Sequence, residues 1–403
     1  MHDRTGWPRP PIARRPWWRG WPVLVAGAGA VVIAAGTTAA VLTLRGGGDP
    51  PPAPAAPALD RDPVAKPLNV MNAPANCGVP SATVRRVTRM NLPSNSSGDS
   101  CTWSSPGGAP HQRTLDVATT VVEATNDDVS PAGAAMAEFD TRLDEMRGTR
   151  VPVTGLGDEA YTSYDGRAQF VLFRAGNAVT ELDFAGVELG HATARRLAAK
   201  AVRHGAFTVA AAVARTLGSS AAAPHAGSPP SPSPITRRFS ACDAVPRDVT
   251  KRFVPDQVVP PNHLVGPDLN SLIPKPVVSA CNWTAQGRSL KVRIESAVGG
   301  AAATRSVARE YLRRHYNGRV NGRFDALRGP GEQAFSRFTS NDELREDTET
   351  NLGQVVFRVR NVLVTVWYGN DALGQPDDEK LSVEEARNGA YAVAAQVARA
   401  VHV

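Results

Sequence analysis

The sequence predicts an α+β chain: one N-terminal transmembrane helix, then two similar domains, each an antiparallel sheet packed by helices. Three observations predict it. Val23–Leu44 is a run of 22 residues without a charge. Beyond it, a set of landmarks occurs twice in the same order. Each copy then ends in two alternating strands around a tight turn, followed by an Ala/Val-rich helix. The expected organisation is a basic tail at 1–22, the span at 23–44, a Pro-rich spacer at 45–76 and a first repeat at 77–217. A Pro/Ser-rich linker at 218–238 and a second repeat at 239–403 follow.

A helix rises about 1.5 Å per residue, so the apolar run reaches across a hydrocarbon core of about 30 Å. Arg4, Arg9, Arg14, Arg15 and Arg19 precede it, opposed by Asp3 alone, and Arg45 follows. Positive charge near the ends of a span stays in the cytoplasm. The tail is therefore expected inside and the bulk of the chain outside, in the cell membrane as a single-pass protein. Trp17, Trp18 and Trp21 stand where an interfacial aromatic belt belongs. The alternative is a cleaved signal peptide, with Thr38-Ala39-Ala40 as its small residues. The apolar region of a signal runs about 7–15 residues, and this one is longer.

The net charge of +7 also finds its place here. Residues 1–22 carry +4 and the other 381 carry +3. The basicity is a topology signal, helped by anionic lipid, and nucleic acid is not an expected partner. The expected partners are the membrane, through residues 23–44, and a ligand or protein of the cell envelope.

The spacer holds Pro50, Pro51, Pro52, Pro54, Pro57, Pro63, Pro67 and Pro74, and Pro-rich linkers extend at about 3.1 Å per residue. The landmarks after it are Cys77, then Cys101-Thr-Trp103; their counterparts are Cys242, then Cys281-Asn-Trp283. Gly155-Leu-Gly157-Asp-Glu-Ala160 matches Gly329-Pro-Gly331-Glu-Gln-Ala334. Phe173-Arg174 and Asn177 match Phe357-Arg358 and Asn361. Arg203–Arg215 matches Arg387–Arg399. From the Phe-Arg pair onward the offset is a constant 184. The alternative, two Ala-rich helices alike by composition, leaves the order of the other landmarks unexplained.

Short helices are expected at Ser81–Met90 and Val245–Val254, and strands at Leu115–Ala124 and Leu290–Val298. Second helices are expected at Ala132–Arg147 and Ala301–Tyr316. The hairpins turn at Gly176-Asn177 and Arg360-Asn361, where Gly and Asn tolerate positive φ. Pairing outward from the turns puts Val171, Phe173, Leu182 and Phe184 on one face of the first hairpin. Val355, Phe357, Val364 and Val366 share the matching face of the second. The closing helices supply cover through Val202, Ala206, Val209, Val213 and Leu217, and through Ala386, Ala390, Val393, Val397 and Val401.

Four cysteines outside the membrane suit disulfides. Pairing within repeats links Cys77 to Cys101 and Cys242 to Cys281, each worth about 3.5–4 kcal/mol by loop closure. Neither pair has the spacing of a zinc site. Trp103 and Trp283 are expected beside the bridges. Asp158 and Glu159 invite a reading as a catalytic pair, but the second copy keeps only Glu332 beside Gln333. The acidic loop Asn341–Glu349 lacks the ligand spacing of a calcium loop. No sequence motif of a known catalytic or nucleotide site occurs, so neither metal nor cofactor is expected.

The opening Cys, the C-x-W, the G-L-G-D-E-A turn, the hairpin with R-x-x-N and the closing helix together resemble the small extracytoplasmic domains of actinobacterial lipoproteins of unknown function. The extracellular sensor domain of mycobacterial receptor Ser/Thr kinases is similar more distantly. The resemblance covers about 75–217 and 240–401, with the second copy degenerate as GPGEQA. It implies a structural fold and an outer location rather than an activity. A spanning helix replaces the lipidated Cys, and no kinase domain is present. The expected function is a non-catalytic binding or sensing module displayed outside the membrane. A structural or protein-interaction component of the envelope is the alternative, and an envelope-acting hydrolase a third reading. Candidate binding residues are Arg174, Arg358 and Trp367, on the hairpin face opposite the closing helices.

Overall fold

The computed structural model describes residues 64–403, except 91–94, 98, 106–110, 125–128, 190–193, 220, 229–230, 256–270, 286, 321–322, 341–350, 371–380 and 403. The expected tail, span and most of the spacer lie outside the described residues, as does the acidic loop. Among the described residues no helix is long and apolar enough to cross a membrane.

The described residues form one compact unit of mixed α and antiparallel β structure. It opens with a turn of 3-10 helix at Ala75–Gly78 and α1 (Ser81–Thr88). Then come β1 (Asn95–Ser97), β2 (Ser100–Ser104), β3 (His111–Val121) and α2 (Pro131–Glu145). A meander follows: β4 (Val151–Leu156), β5 (Glu159–Tyr164), β6 (Ala168–Ala175) and β7 (Ala178–Leu189). β8 (Ala194–Arg196), α3 (Ala199–Thr216) and β9 (Ala221–Ala226) complete this half. The second half has α4 (Arg247–Phe253), β10 (Val277–Ala285), β11 (Arg288–Ser296) and α5 (Gly300–Gly318). It continues with β12 (Arg323–Leu327), β13 (Gln333–Ser340), β14 (Asn351–Val359), β15 (Val362–Asn370) and α6 (Val383–His402).

The first sheet runs β1-β2-β3-β7-β6-β5-β4-β9, with β8 on β7; the second runs β10-β11-β15-β14-β13-β12. All pairs are antiparallel, and Arg174 stands opposite Val179 as Arg358 stands opposite Leu363. Both expected disulfides are present, Cys77–Cys101 and Cys242–Cys281. Trp103 and Trp283 are buried in the same clusters as the bridges.

The closing helices cover the expected faces. Val202, Val209 and Val213 of α3 pack on Val171, Phe173, Leu182 and Phe184. Val393, Val397 and Val401 of α6 pack on Val355, Phe357, Val364 and Val366. The opposite faces are covered as well, which the sequence reading did not expect. Ala135 and Phe139 of α2 bury Leu172 and Val179. Val307 and Tyr311 of α5 bury Val356 and Leu363. Strands buried on both faces read as near-continuous apolar runs, and Val171-Leu172-Phe173 and Val362-Leu363-Val364 are such runs.

The two halves meet through these second helices. Ala132 and Met136 of α2 share a cluster with Val307 and Tyr311 of α5. The layer order is α3, first sheet, α2 against α5, second sheet, α6. The Ser130 hydroxyl caps α2 by accepting from the Gly133 amide at 3.0 Å. Asn317 Oδ1, near the end of α5, accepts from the Ser130 amide and hydroxyl at 3.2 and 3.1 Å. A Cβ on Gly133 would stand 2.0 Å from that oxygen, so only glycine permits the approach.

The expected linkers are partly docked. Val64 is buried, and its carbonyl accepts from Arg319 at 3.1 Å. Residues of the Pro/Ser-rich stretch form β9, which adds to the edge of the first sheet beside β4.

Candidate functional site

Arg174 is held by its own half. Its Nε donates to Glu159 at 2.6 Å and its Nη1 to Asp158 at 3.0 Å and to the Gly176 carbonyl at 2.7 Å. The side chain is 2% exposed. Arg358 makes the matching contacts with Gln333 at 3.0 Å, Glu332 at 3.1 Å and the Arg360 carbonyl at 3.2 Å. The turn between the two strands packs directly on the arginine's backbone. Asp158 N–H donates to the Arg174 carbonyl, and Glu332 N–H to the Arg358 carbonyl, both at 2.8 Å. Gly157 and Gly331 have φ of +60° and +62°, and a Cβ there would come within 2.3 and 2.5 Å of those carbonyls. The G-x-G-[DE]-[EQ] and Arg landmarks are thus two sides of one clamp.

The Asn of each R-x-x-N has a different task. In both turns the first residue carries the positive φ, Gly176 at +60° and Arg360 at +50°. Asn177 and Asn361 are therefore not there for backbone freedom. Asn177 Oδ1 accepts from the Val70 amide at 2.6 Å, and Nδ2 donates to the Val70 and Val122 carbonyls. Asn361 does the same with Ile235 and Ala297. Each asparagine ties the incoming linker to the hairpin. Trp367 is half-buried on β15, with Lys291 Nζ 5.2 Å from its ring centre.

Where the halves meet, Glu159 reaches beyond Arg174 and also accepts from Arg309 Nε of α5 at 2.5 Å. Arg309 Nη2 pairs with Asp140 of α2 at 2.6 Å. A chain of alternating charge, Asp158–Arg174–Glu159–Arg309–Asp140, crosses the junction. Burial raises the Glu159 pKa, but the Arg309 and Arg174 charges outweigh it and hold the carboxyl below the usual range. At Asp140 burial wins over Arg309 and the pKa is raised.

Beside this chain lies a cleft of about 500 Å³. α2 lines it with Asp140, Leu143 and Asp144, and α5 with Ala302, Arg305, Ser306 and Arg309. Tyr161 of β5 and the segment carrying Leu272 and Pro274 close it. That segment is fixed to α5, since the buried Glu310 accepts from the Leu272 amide at 3.1 Å. Asp144 pairs with Arg150 at 3.1 Å.

None of the predicted binding residues lines this cleft. Sequence reading weighed Glu159 but missed Arg305, Arg309 and Asp140. Their one signal is opposite charge at matching i, i+4 spacing, Asp140 and Asp144 on one second helix and Arg305 and Arg309 on the other. Such spacing also describes a solvated helix face. Among the described residues no three His, Cys, Asp or Glu gather as a metal site. No family model matches the chain, and comparison with curated proteins finds no significant match.

Proposed function

We propose that this chain is a membrane-anchored, non-catalytic binding or sensing protein, displayed outside the cytoplasm as two tandem copies of one disulfide-stabilised domain. The shared strand order of the two sheets and the matched arginine clamps support the duplication. The sequence of Val23–Leu44 and its arginine flank supports the anchor. The duplicated landmarks also support kinship with the actinobacterial lipoprotein domains, because their residues brace the fold instead of forming a reaction centre.

The observation that carries the binding reading is the cleft between the halves. Small-molecule sites are concave, of roughly 300–1,000 Å³, and favour junctions between folded parts. The cleft has that size and place, with apolar walls and a few charged groups. The test uses the full chain in amphipol and a small-molecule extract of the cell envelope. The extract is expected to raise the melting temperature of the wild type but not of Ala302→Trp, which fills the cleft. Equal shifts, or none in either protein, would overturn the cleft as the binding site.

A further inference from the structure

Among the described residues, one arginine of the cleft makes no ion pair. Arg309 is shared between Glu159 and Asp140, and Asp144 has Arg150. Arg305 lies one turn before Arg309 on the cleft side of α5. Its guanidinium has no ion pair or hydrogen bond among the described residues, and its Nη1 is enclosed without a partner. Arginine stays protonated in proteins. A half-buried guanidinium has lost part of its hydration and gained nothing in return. The described carboxylates of the cleft do not serve it, since Asp140 and Asp144 face other arginines.

We propose that the cleft takes a small organic monoanion, a carboxylate carried on an apolar body, with the Arg305 guanidinium as its counter-charge. The inference rests on the reading of the cleft as the binding site and adds the chemistry of what enters. A carboxylate matches the planar guanidinium fork in two parallel hydrogen bonds. Leu143, Leu272, Pro274, Ala302 and the ring of Tyr161 then meet the apolar body. A cationic ligand would meet the Arg305 and Arg309 guanidiniums in the cleft, where Asp140 and Asp144 already have arginine partners. A dianion such as a phosphate monoester brings two negative charges beside Asp140 and Asp144 to the one guanidinium without a described partner, so a single negative charge is the better match.

The test uses the full chain in amphipol, with binding measured calorimetrically. The probes are 3-phenylpropanoate, 3-phenylpropan-1-ol and 3-phenylpropylamine, which share one apolar body and differ in charge. The carboxylate is expected to bind at least about tenfold more tightly than the alcohol or the amine. Arg305→Gln is expected to remove that advantage, and its fold is not at risk because Arg305 has no partner to lose among the described residues. Lys200→Gln, an exposed charge on α3, is expected to match the wild type. If the alcohol or amine binds as well as the carboxylate, or if Arg305→Gln leaves the preference intact, the anion assignment is overturned. If no probe binds while the envelope extract still stabilises wild type but not Ala302→Trp, the assignment fails and the cleft stands. If the carboxylate binds Ala302→Trp as it binds wild type, the cleft itself is wrong.

Discussion

Glu159 of the first half and Arg309 of the second form an ion pair across the junction, while Glu159 also holds Arg174. The corresponding residue of the second half is Gln333, which accepts from Arg358 alone. Beside Glu332, an amide is enough to brace one arginine. Two nearly buried arginines require the charge.

Glu159→Gln is therefore expected to keep the strand geometry and lose about 3 kcal/mol, the scale for removing one partner of a buried ion pair. Denaturant unfolding at pH 7 measures it. The folded pKa of Glu159 lies below its unfolded value of 4.5. Its stabilisation is present above pH 4.5 and is lost as the pH falls through the lower folded value. The gap between variant and wild type should narrow in that acid range. A gap independent of pH would mean that the charge is not what the junction uses.

Asp116 and Asp183 stand directly opposite each other on β3 and β7. The Thr102 hydroxyl serves Asp116 at 2.6 Å, whereas Asp183 Oδ1 is enclosed without a partner. Burial first, then the Asp116 and Asp165 charges, push Asp183 up to about 7. A raised carboxyl pKa contributes stability below the unfolded value of 3.8 that is lost as the pH rises through about 7. Asp183→Asn should thus stabilise the protein by up to about 4 kcal/mol at pH 8 and hardly at all at pH 4. Melting curves at the two pH values decide it, and equal effects at both would refute the shift.

Asn177 and Asn361 should prove interchangeable with neither alanine nor aspartate. Aspartate keeps the acceptor for the linker amide but loses both donors. Each substitution is expected to cost about 2–3 kcal/mol, because buried backbone carbonyls lose their partners. Hydrogen exchange should quicken at the Val70 amide for Asn177→Ala and at the Ile235 amide for Asn361→Ala, since each variant removes that amide's acceptor. Unchanged exchange there would show that the linkers are held by other contacts.

The proposed topology rests on five arginines before the apolar run against one after it. Protease added to intact protoplasts expressing the chain is expected to digest the part after Leu44 and spare the N-terminal tail. Protection of the large unit would reverse the orientation.

Much of the secondary structure was legible because its signals are local. A period of two marked the hairpins around Gly176 and Arg360. A stripe of small and branched residues marked α3 and α6, and cysteine spacing within each repeat marked the bridges. The weaker strands β4, β5, β12 and β13 carry no such run; they form because the Arg174 and Arg358 clamps and the neighbouring strands hold them. By itself the sequence determined the closing hairpins, the buried faces of the closing helices and the disulfide partners, since each depends on residues close together or on a strong periodic pattern. Tertiary structure alone decided that α2 and α5 meet, that Glu159 serves arginines from both halves, and that Arg305 lines a cleft with no ion pair among the described residues. The reason is physical: a charged residue on an amphipathic helix has the same local pattern whether it faces water or another helix. Only the packing of one half on the other chooses between them.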